Sequence, residues 1–301
     1  MEQFRLTSRK MPILDTYPKE SRISVYFPKD CPNTCPFCTS RDDYRKWGTN
    51  PFKVMDFLAS LPSDMKHIVT ITGGEPASDI NMLRDMIHVL PPTADVYINT
   101  TALTNTFDRL KELVGEESRV QGIAVSRHGA SIAEDKMILH GIVDDEAFKD
   151  VPCGIRINAV VPDVFTSDYF RNIMERWRPI FCQRPNVYKT GLTFRFDYNK
   201  CNFGNLHLLD TPEIKALMAV PDVKYAGQSI SDYAHTMLYN YRGMRIRYHR
   251  CLPGVVVKIG DIVSLRELVI YPDGFVATDW DRTNVGLDWY MCNVLHSGGE
   301  E

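Results

Sequence analysis

The sequence has no second paired cysteine motif, no long apolar run and no strong charge of either sign. Each absence excludes something. Without a run of about 18 apolar residues, no membrane-spanning helix is expected. Met1-Glu2-Gln3-Phe4-Arg5-Leu6 has no apolar stretch of signal-peptide type, so the expected location is the cytoplasm, where thiols stay reduced. Cys153, Cys182, Cys201, Cys251 and Cys292 are single and widely spaced, which argues against a disulfide framework. A net charge of −3 gives no global attraction to nucleic acid or anionic lipid. No internal repeat or low-complexity segment is present, so a solenoid is excluded. The apolar fraction of 44% and charged fraction of 24% are those of an ordinary globular chain.

What is present is concentrated in Cys31-Pro32-Asn33-Thr34-Cys35-Pro36-Phe37-Cys38, directly after the β-branched run Ile23-Ser24-Val25-Tyr26-Phe27. Pro32, Asn33 and Pro36 keep this stretch out of helix and hold it as a tight loop at a strand end. Three thiolates at this spacing select a soft metal: zinc, copper(I) or iron–sulfur. Structural zinc asks for a fourth ligand, usually from a second pair, and there is none. A four-iron cluster on three cysteines leaves one iron open. Farther on, the strand His67–Thr72 ends in Gly73-Gly74-Glu75-Pro76, where glycines permit close backbone approach and Glu75 adds a charge.

The cysteine spacing with Phe37 before the third cysteine, followed one helix and one strand later by Gly-Gly-Glu, resembles the radical S-adenosylmethionine (SAM) superfamily, in particular the single-cluster core of the pterin-synthase and viperin-like branches. The resemblance implies a partial (β/α)6 TIM-like barrel over residues 22–204. It implies a [4Fe-4S] cluster on Cys31, Cys35 and Cys38, and SAM held by Phe37, Gly73, Gly74, Glu75, Ser126, Asn158 and Arg195. Glu75 would meet the amino group of the SAM methionine. A one-electron reductant of flavodoxin or ferredoxin type is the implied partner.

The pattern of elements agrees with an α/β class. Asn50-Pro51 announces a helix by cap and first-turn proline, with Val54, Phe57, Leu58 and Leu61 on one face. Helices over 80–90, 106–114 and 167–181 alternate with strands over 95–100, 121–126, 154–161 and 190–196. A less regular helical stretch runs over 131–148. Six β-then-α units predict a parallel sheet whose strand C-terminal ends carry the chemistry. Asn99, Thr100, Thr101 and His128 are further polar residues at those ends; His128 reads as an acid/base group or as a satisfied polar residue.

From about residue 205 the alternation stops, and 205–301 reads as an irregular α+β, substrate-specific extension, with 1–21 an N-terminal extension. Tyr239–Arg250 interleaves aromatics with Arg242, Arg245 and Arg247, the pattern that neutralises phosphates while stacking bases; its alternative is a solvated basic face. Glu267–Val276 is a strand–turn–strand around Pro272-Asp273-Gly274. It resembles the extensions of peptide-modifying members of the superfamily, without their paired cysteines, so an auxiliary cluster from Cys201, Cys251 and Cys292 is disfavoured.

The functional expectation is an enzyme that cleaves SAM reductively to a 5′-deoxyadenosyl radical, acting on a nucleotide, nucleoside or nucleic-acid base. A peptide-modifying maturase is the second reading. A non-catalytic iron–sulfur or zinc module binding nucleic acid is the third.

Overall fold

A computed structural model describes residues 20–38, 40–183, 191–195, 211–230, 234–251, 256–259, 262–265, 268–277 and 282. The first strand, β1 (Glu20–Tyr26), runs into the cysteine loop, followed by α1 (Arg41–Trp47) and α2 (Pro51–Ala59). Then come β2 (Lys66–Thr72), α3 (Ile80–Val89), β3 (Ala94–Thr100), α4 (Phe107–Glu116), β4 (Val120–Ser126), α5 (Ile132–Ile138), β5 (Gly154–Val160), α6 (Ser167–Cys182) and β6 (Gly191–Arg195). These six strands are parallel and hydrogen-bonded in sequence order. The element order expected from the sequence is present, including the α2 cap, where the Asn50 side chain accepts from the Lys53 N–H.

The alternation of side chains decides which face of the sheet is which. Ile23, Val25, Val69, Ile71, Val96, Ile98, Ile155, Ile157, Leu192 and Phe194 are all buried against the helices in one continuous core. Phe170, Met174 and Trp177 of α6 complete it, with the Phe170 and Phe194 rings 4.9 Å apart in a T-shaped contact. The intervening residues, polar for the most part, fall on the other face.

The remaining elements are α7 (Pro212–Met218), β7 (Val223–Ile230), β8 (Ala234–Tyr241), β9 (Met244–Cys251), the hairpin β10–β11 (Val256–Ile259, Ile262–Leu265), β12 (Leu268–Ile270) and β13 (Val276–Ala277). They do not stand apart from the barrel. The sheet has eleven strands in the order β13-β12-β1-β2-β3-β4-β5-β6-β9-β8-β7, with β9 parallel to β6 and β12 parallel to β1. The result is a mixed α/β fold with a large, mostly parallel sheet of partial TIM-like barrel type, lengthened at both edges by chain from the C-terminal third.

Three local differences have simple causes. Residues 41–47, for which the sequence pattern gives no element, form α1, because Asp42 and Asp43 sit in its first turn, Arg45 and Lys46 in its last, and Tyr44 is buried. The stretch 131–148 breaks into α5 and a 3₁₀ turn at Asp145–Phe148. The basic–aromatic stretch 239–250 is a tight hairpin: Arg242 (φ 47°) and Gly243 (φ 88°) make a two-residue turn between Tyr241 and Met244.

Phe194→Ala empties a fully buried site between β6 and α6, and is expected to cost about 3–5 kcal/mol in a chemical denaturation experiment. A loss under about 1 kcal/mol would mean that β6 is not part of the core.

Candidate functional site

Because β1–β6 are parallel, the loops that carry the chemistry-bearing residues gather at one end of the sheet. Glu75 stands at their centre. Its carboxylate is buried and accepts four hydrogen bonds. Oε1 takes the Ala77 N–H at 2.9 Å and the Thr100 hydroxyl at 2.5 Å; Oε2 takes the Thr101 N–H at 2.6 Å and the Thr101 hydroxyl at 2.5 Å. A carboxylate has about four acceptor sites, so the Glu75 carboxylate is fully used in joining the end of β2 to the end of β3. The expectation that it receives the amino group of SAM is thereby set against an internal role. Gly73 (φ 62°) and Gly74 (φ 52°) also serve the frame: a Cβ on them would lie 1.8 Å from the Tyr26 ring and 2.1 Å from the Lys29 carbonyl oxygen.

The cysteine loop is tied into the same network through Asn33. Its N–H points at Cys31 Sγ (3.4 Å), its Nδ2 donates to the Thr101 hydroxyl (3.4 Å), and its Oδ1 accepts from the His140 N–H (2.6 Å). Cys31, Cys35 and Cys38 are reduced and partly exposed. Burial pushes the Cys31 thiol up to about 12 and the Cys35 thiol up to about 11; Cys31 also feels Glu75, Cys35 and Cys38, and Cys35 feels Cys38 and Glu75. A bound cation would reverse that balance and hold the thiolates.

Among the described residues, no three His, Cys, Asp or Glu side chains are gathered as a site for a single metal ion. Structural zinc asks for a fourth ligand beside three thiolates. Three soft, mutually interacting, solvent-reachable thiols on one loop fit an iron–sulfur cluster with an open position.

Phe37 meets His128, ring centroids 4.4 Å apart, so the cysteine loop closes against the end of β4. His128 is buried. Its Nδ1 accepts from the Val160 N–H at 3.1 Å, and burial together with Arg127 pushes it down to about 3. Its Nδ1 thus serves as a buried acceptor, which fits the reading as a satisfied polar residue.

Its neighbours form a buried network. Arg127 donates to the carbonyls of Thr101, Ser126 and Val143. Asp135 takes the His128 and Gly129 N–H groups and Arg176 (2.7 Å), while Arg176 also forks onto Asp145. Sequence reading passed over Asp135 and Arg176 because they lie on separate helices 41 positions apart. Only the acidic first turn of α5 hinted at a nearby cap.

Ser126 and Asn158 are paired in register on β4 and β5, on the polar face; Asn158 Oδ1 is buried with no hydrogen-bond partner. Arg195 lies on the same face at the end of β6, its Nε likewise unpartnered. These three lie on one face of three adjacent strands.

The basic–aromatic stretch does not. Tyr239, Tyr241 and Tyr248 are buried in the helix-facing core and offer no stacking surface. Arg242 is in the hairpin turn and pairs with Asp222 (2.8 Å) and Glu175 (2.9 Å), while Arg245 is exposed. Arg247 lies level with Thr193, two residues from His249, which is itself paired in register with Arg195. The nucleotide-binding expectation fails at this point, because strand alternation separates the aromatics from the bases. Sequence reading missed Arg156 and His249, which join Arg195 and Arg247 on one face; Arg156 was hidden inside a β-branched strand.

At the other edge, the Pro272-Asp273-Gly274 turn packs behind the cysteine loop. Tyr271 contacts Tyr26, the Asn50 N–H donates to the Pro272 carbonyl, and Arg282 pairs with Asp273. Cys201, Cys292 and the side chain of Cys251 lie outside the described residues; Cys153 is buried and Cys182 exposed. No described helix is long and apolar enough to cross a membrane.

No protein-family model matches the chain. No curated protein matches it in sequence. Among solved structures it is similar to Streptococcus suis SuiB (TM-score 0.58, 12% identity, 95% of this chain and 66% of that one). It is similar also to SuiB bound to S-adenosylmethionine (0.57, 12%, 95% and 64%) and to SuiB bound to precursor peptide SuiA (0.46, 16%, 60% and 40%). The chain spans about two fifths to two thirds of the length of the SuiB chains it matches. At this identity the likeness establishes the fold.

Two predictions follow from the buried groups. Glu75→Gln puts an NH₂ against donors and is expected to lower stability by about 3 kcal/mol in denaturant titration; an unchanged midpoint would show that the network is not formed. His128 is neutral when folded and takes a proton near 6.5 when unfolded. Its contribution is complete above pH 6.5 and falls as pH drops toward 3, by up to about 1.4 kcal/mol per pH unit. His128→Asn is expected to flatten the pH dependence of the melting temperature in that window.

Proposed function

We propose that this chain is a radical SAM enzyme that modifies a peptide. The observation that carries the reading is the three-thiol loop locked, through Asn33, Thr101 and Glu75, at the strand ends of a partial barrel. The fold is shared with SuiB, whose structures include one bound to S-adenosylmethionine and one bound to precursor peptide SuiA. The nucleotide reading loses its support with the burial of Tyr239, Tyr241 and Tyr248. The nucleic-acid module reading rested on the same stretch.

In this proposal Cys31, Cys35 and Cys38 hold a [4Fe-4S] cluster, and one iron stays open for SAM. The bound pair would supply a 5′-deoxyadenosyl radical that takes a hydrogen atom from substrate. The chain's own residues do the rest. Asn33 fixes the loop, Phe37 and His128 wall one side of it against water, and Ser126, Asn158 and Arg195 offer polar groups from the facing strand ends. Asn158 Oδ1 and Arg195 Nε, buried and unpartnered, are groups that a ligand would satisfy. A flavodoxin- or ferredoxin-type protein in the cytoplasm would provide the electron.

Anaerobic reconstitution with iron and sulfide, then dithionite and SAM, is expected to yield 5′-deoxyadenosine by mass spectrometry. Cys35→Ala is expected to abolish both product and brown chromophore. A pool of short peptides should raise the rate where a pool of nucleosides and nucleotides does not; the reverse order would reject the peptide reading. Bound zinc without sulfide would reject the enzyme reading.

A further inference from the structure

The polar face of β5, β6 and β9 carries an unusual concentration of positive charge. In register, Arg156 is level with Gly191, Asn158 with Thr193, Thr193 with Arg247, and Arg195 with His249. Arg156, Arg195, Arg247 and His249 therefore share one face of three adjacent strands, while Ile155, Ile157, Leu192, Phe194, Ile246 and Tyr248 fill the core behind them. The Nε atoms of Arg156 and Arg195 are buried without a hydrogen-bond partner. The charges acting on Arg156 are Arg247 and Arg195, and those acting on His249 include Arg195, Arg156 and Arg247. His249 is held neutral, its Nδ1 2.9 Å from the Thr236 hydroxyl.

Like charges drawn together out of water are costly unless something pairs them. Elsewhere this chain pairs its buried cations: Arg176 has Asp135 and Asp145, and Arg127 has three carbonyls. Arg156 and Arg195 keep open donors instead. Guanidinium forks match planar carboxylates in two-pronged contacts.

The cluster is also well placed. The cysteine loop follows β1 and is tied to the end of β3, while the arginines lie on β5, β6 and β9 across the sheet. Arg156 is two residues below Asn158, about 7 Å down the strand from the rim.

We propose that Arg156, Arg195 and Arg247, with His249 beside them, form a recess that binds a carboxylate of the peptide substrate and so seats an acidic peptide against the barrel wall. The proposal rests on the peptide reading above. The carboxylate is that of an acidic side chain or of a chain terminus, and the two are separable.

The test titrates the reconstituted protein, under anaerobic conditions, with three peptides: Ac-Gly-Glu-Gly-NH₂, Ac-Gly-Gln-Gly-NH₂ and Ac-Gly-Gln-Gly with a free C-terminal carboxylate. Calorimetry is expected to give at least about tenfold tighter binding for one or both carboxylate peptides than for the neutral one. The tighter of the two identifies the source. Arg156→Gln and Arg247→Gln should each reduce the preference to within about twofold, and Arg156→Lys should keep part of it. Arg156→Gln removes a like charge, so its melting temperature should hold or rise. A variant that no longer folds would make the cluster structural and overturn the proposal.

Equal binding of all three peptides, or an undiminished preference in the variants, would also overturn it. So would SAM affinity falling about tenfold in both variants with no peptide preference in the wild type, which would give the recess to the carboxylate of SAM. Formation of 5′-deoxyadenosine is measured on the same preparations. Peptide preference without SAM cleavage rejects the enzyme reading and leaves the recess; cleavage without preference rejects the recess alone.

Discussion

One buried carboxylate holds the candidate site together. Glu75 collects four donors from the segments that follow β2 and β3, and Thr101, which gives it two of them, also accepts from Asn33 of the cysteine loop. Three strand ends are thus joined by hydrogen bonds to a single ionised group, the strongest kind available to neutral donors. Burying a carboxylate is costly unless its acceptor sites are filled, and here they are filled. The position of the cysteine loop is therefore set by chemistry outside the loop.

That arrangement explains the two glycines before Glu75. The chain must turn back from β2 against Tyr26 and the Lys29 carbonyl while its backbone has positive φ, and no side chain fits at either place. Tyr26 in turn packs on Tyr271, from the turn after β12, and Tyr44 of α1 donates to the Phe27 carbonyl. A small second core of Tyr26, Tyr44, Val269, Tyr271 and Ala277 lies beside the β1 end. The C-terminal hairpin thereby stiffens the segment that leads into the thiols. It needs no cysteine of its own for that.

The sequence was most readable where periodicity and caps were strong. The six βα units, the α2 cap at Asn50 and the strand before Gly73 stand where their patterns place them, because a parallel sheet covered by helices leaves little freedom to β-branched runs. The cysteine loop stood out by its spacing and Glu75 by its resemblance to the superfamily motif, yet the partners of Glu75 were not legible, since Thr100 and Thr101 are ordinary residues until topology brings β3 beside β2. The basic–aromatic stretch misled for a related reason. Read as a line, Tyr239 to Arg250 mixes rings and charges; folded as a hairpin, period two sends Tyr239, Tyr241 and Tyr248 one way and Arg245, Arg247 and His249 the other.

The same alternation makes the two walls of the barrel unlike in charge. On the β1–β3 side the Glu75 carboxyl group has its acceptor sites filled by neutral donors, and the thiols of the cysteine loop would become anions on binding a metal. On the β5–β9 side burial, joined by the charges of Arg247 and Arg195, pushes the Arg156 guanidinium down to about 10. A ligand between the walls meets an electron-rich side and an electron-poor side. In a space with few mobile ions, such a field orients a dipolar or zwitterionic molecule before any specific contact forms. Orientation of this kind costs the protein stability in the empty state, through the self-repulsion of the arginines. An anion held by the open donors of Arg156 and Arg195 would offset that repulsion.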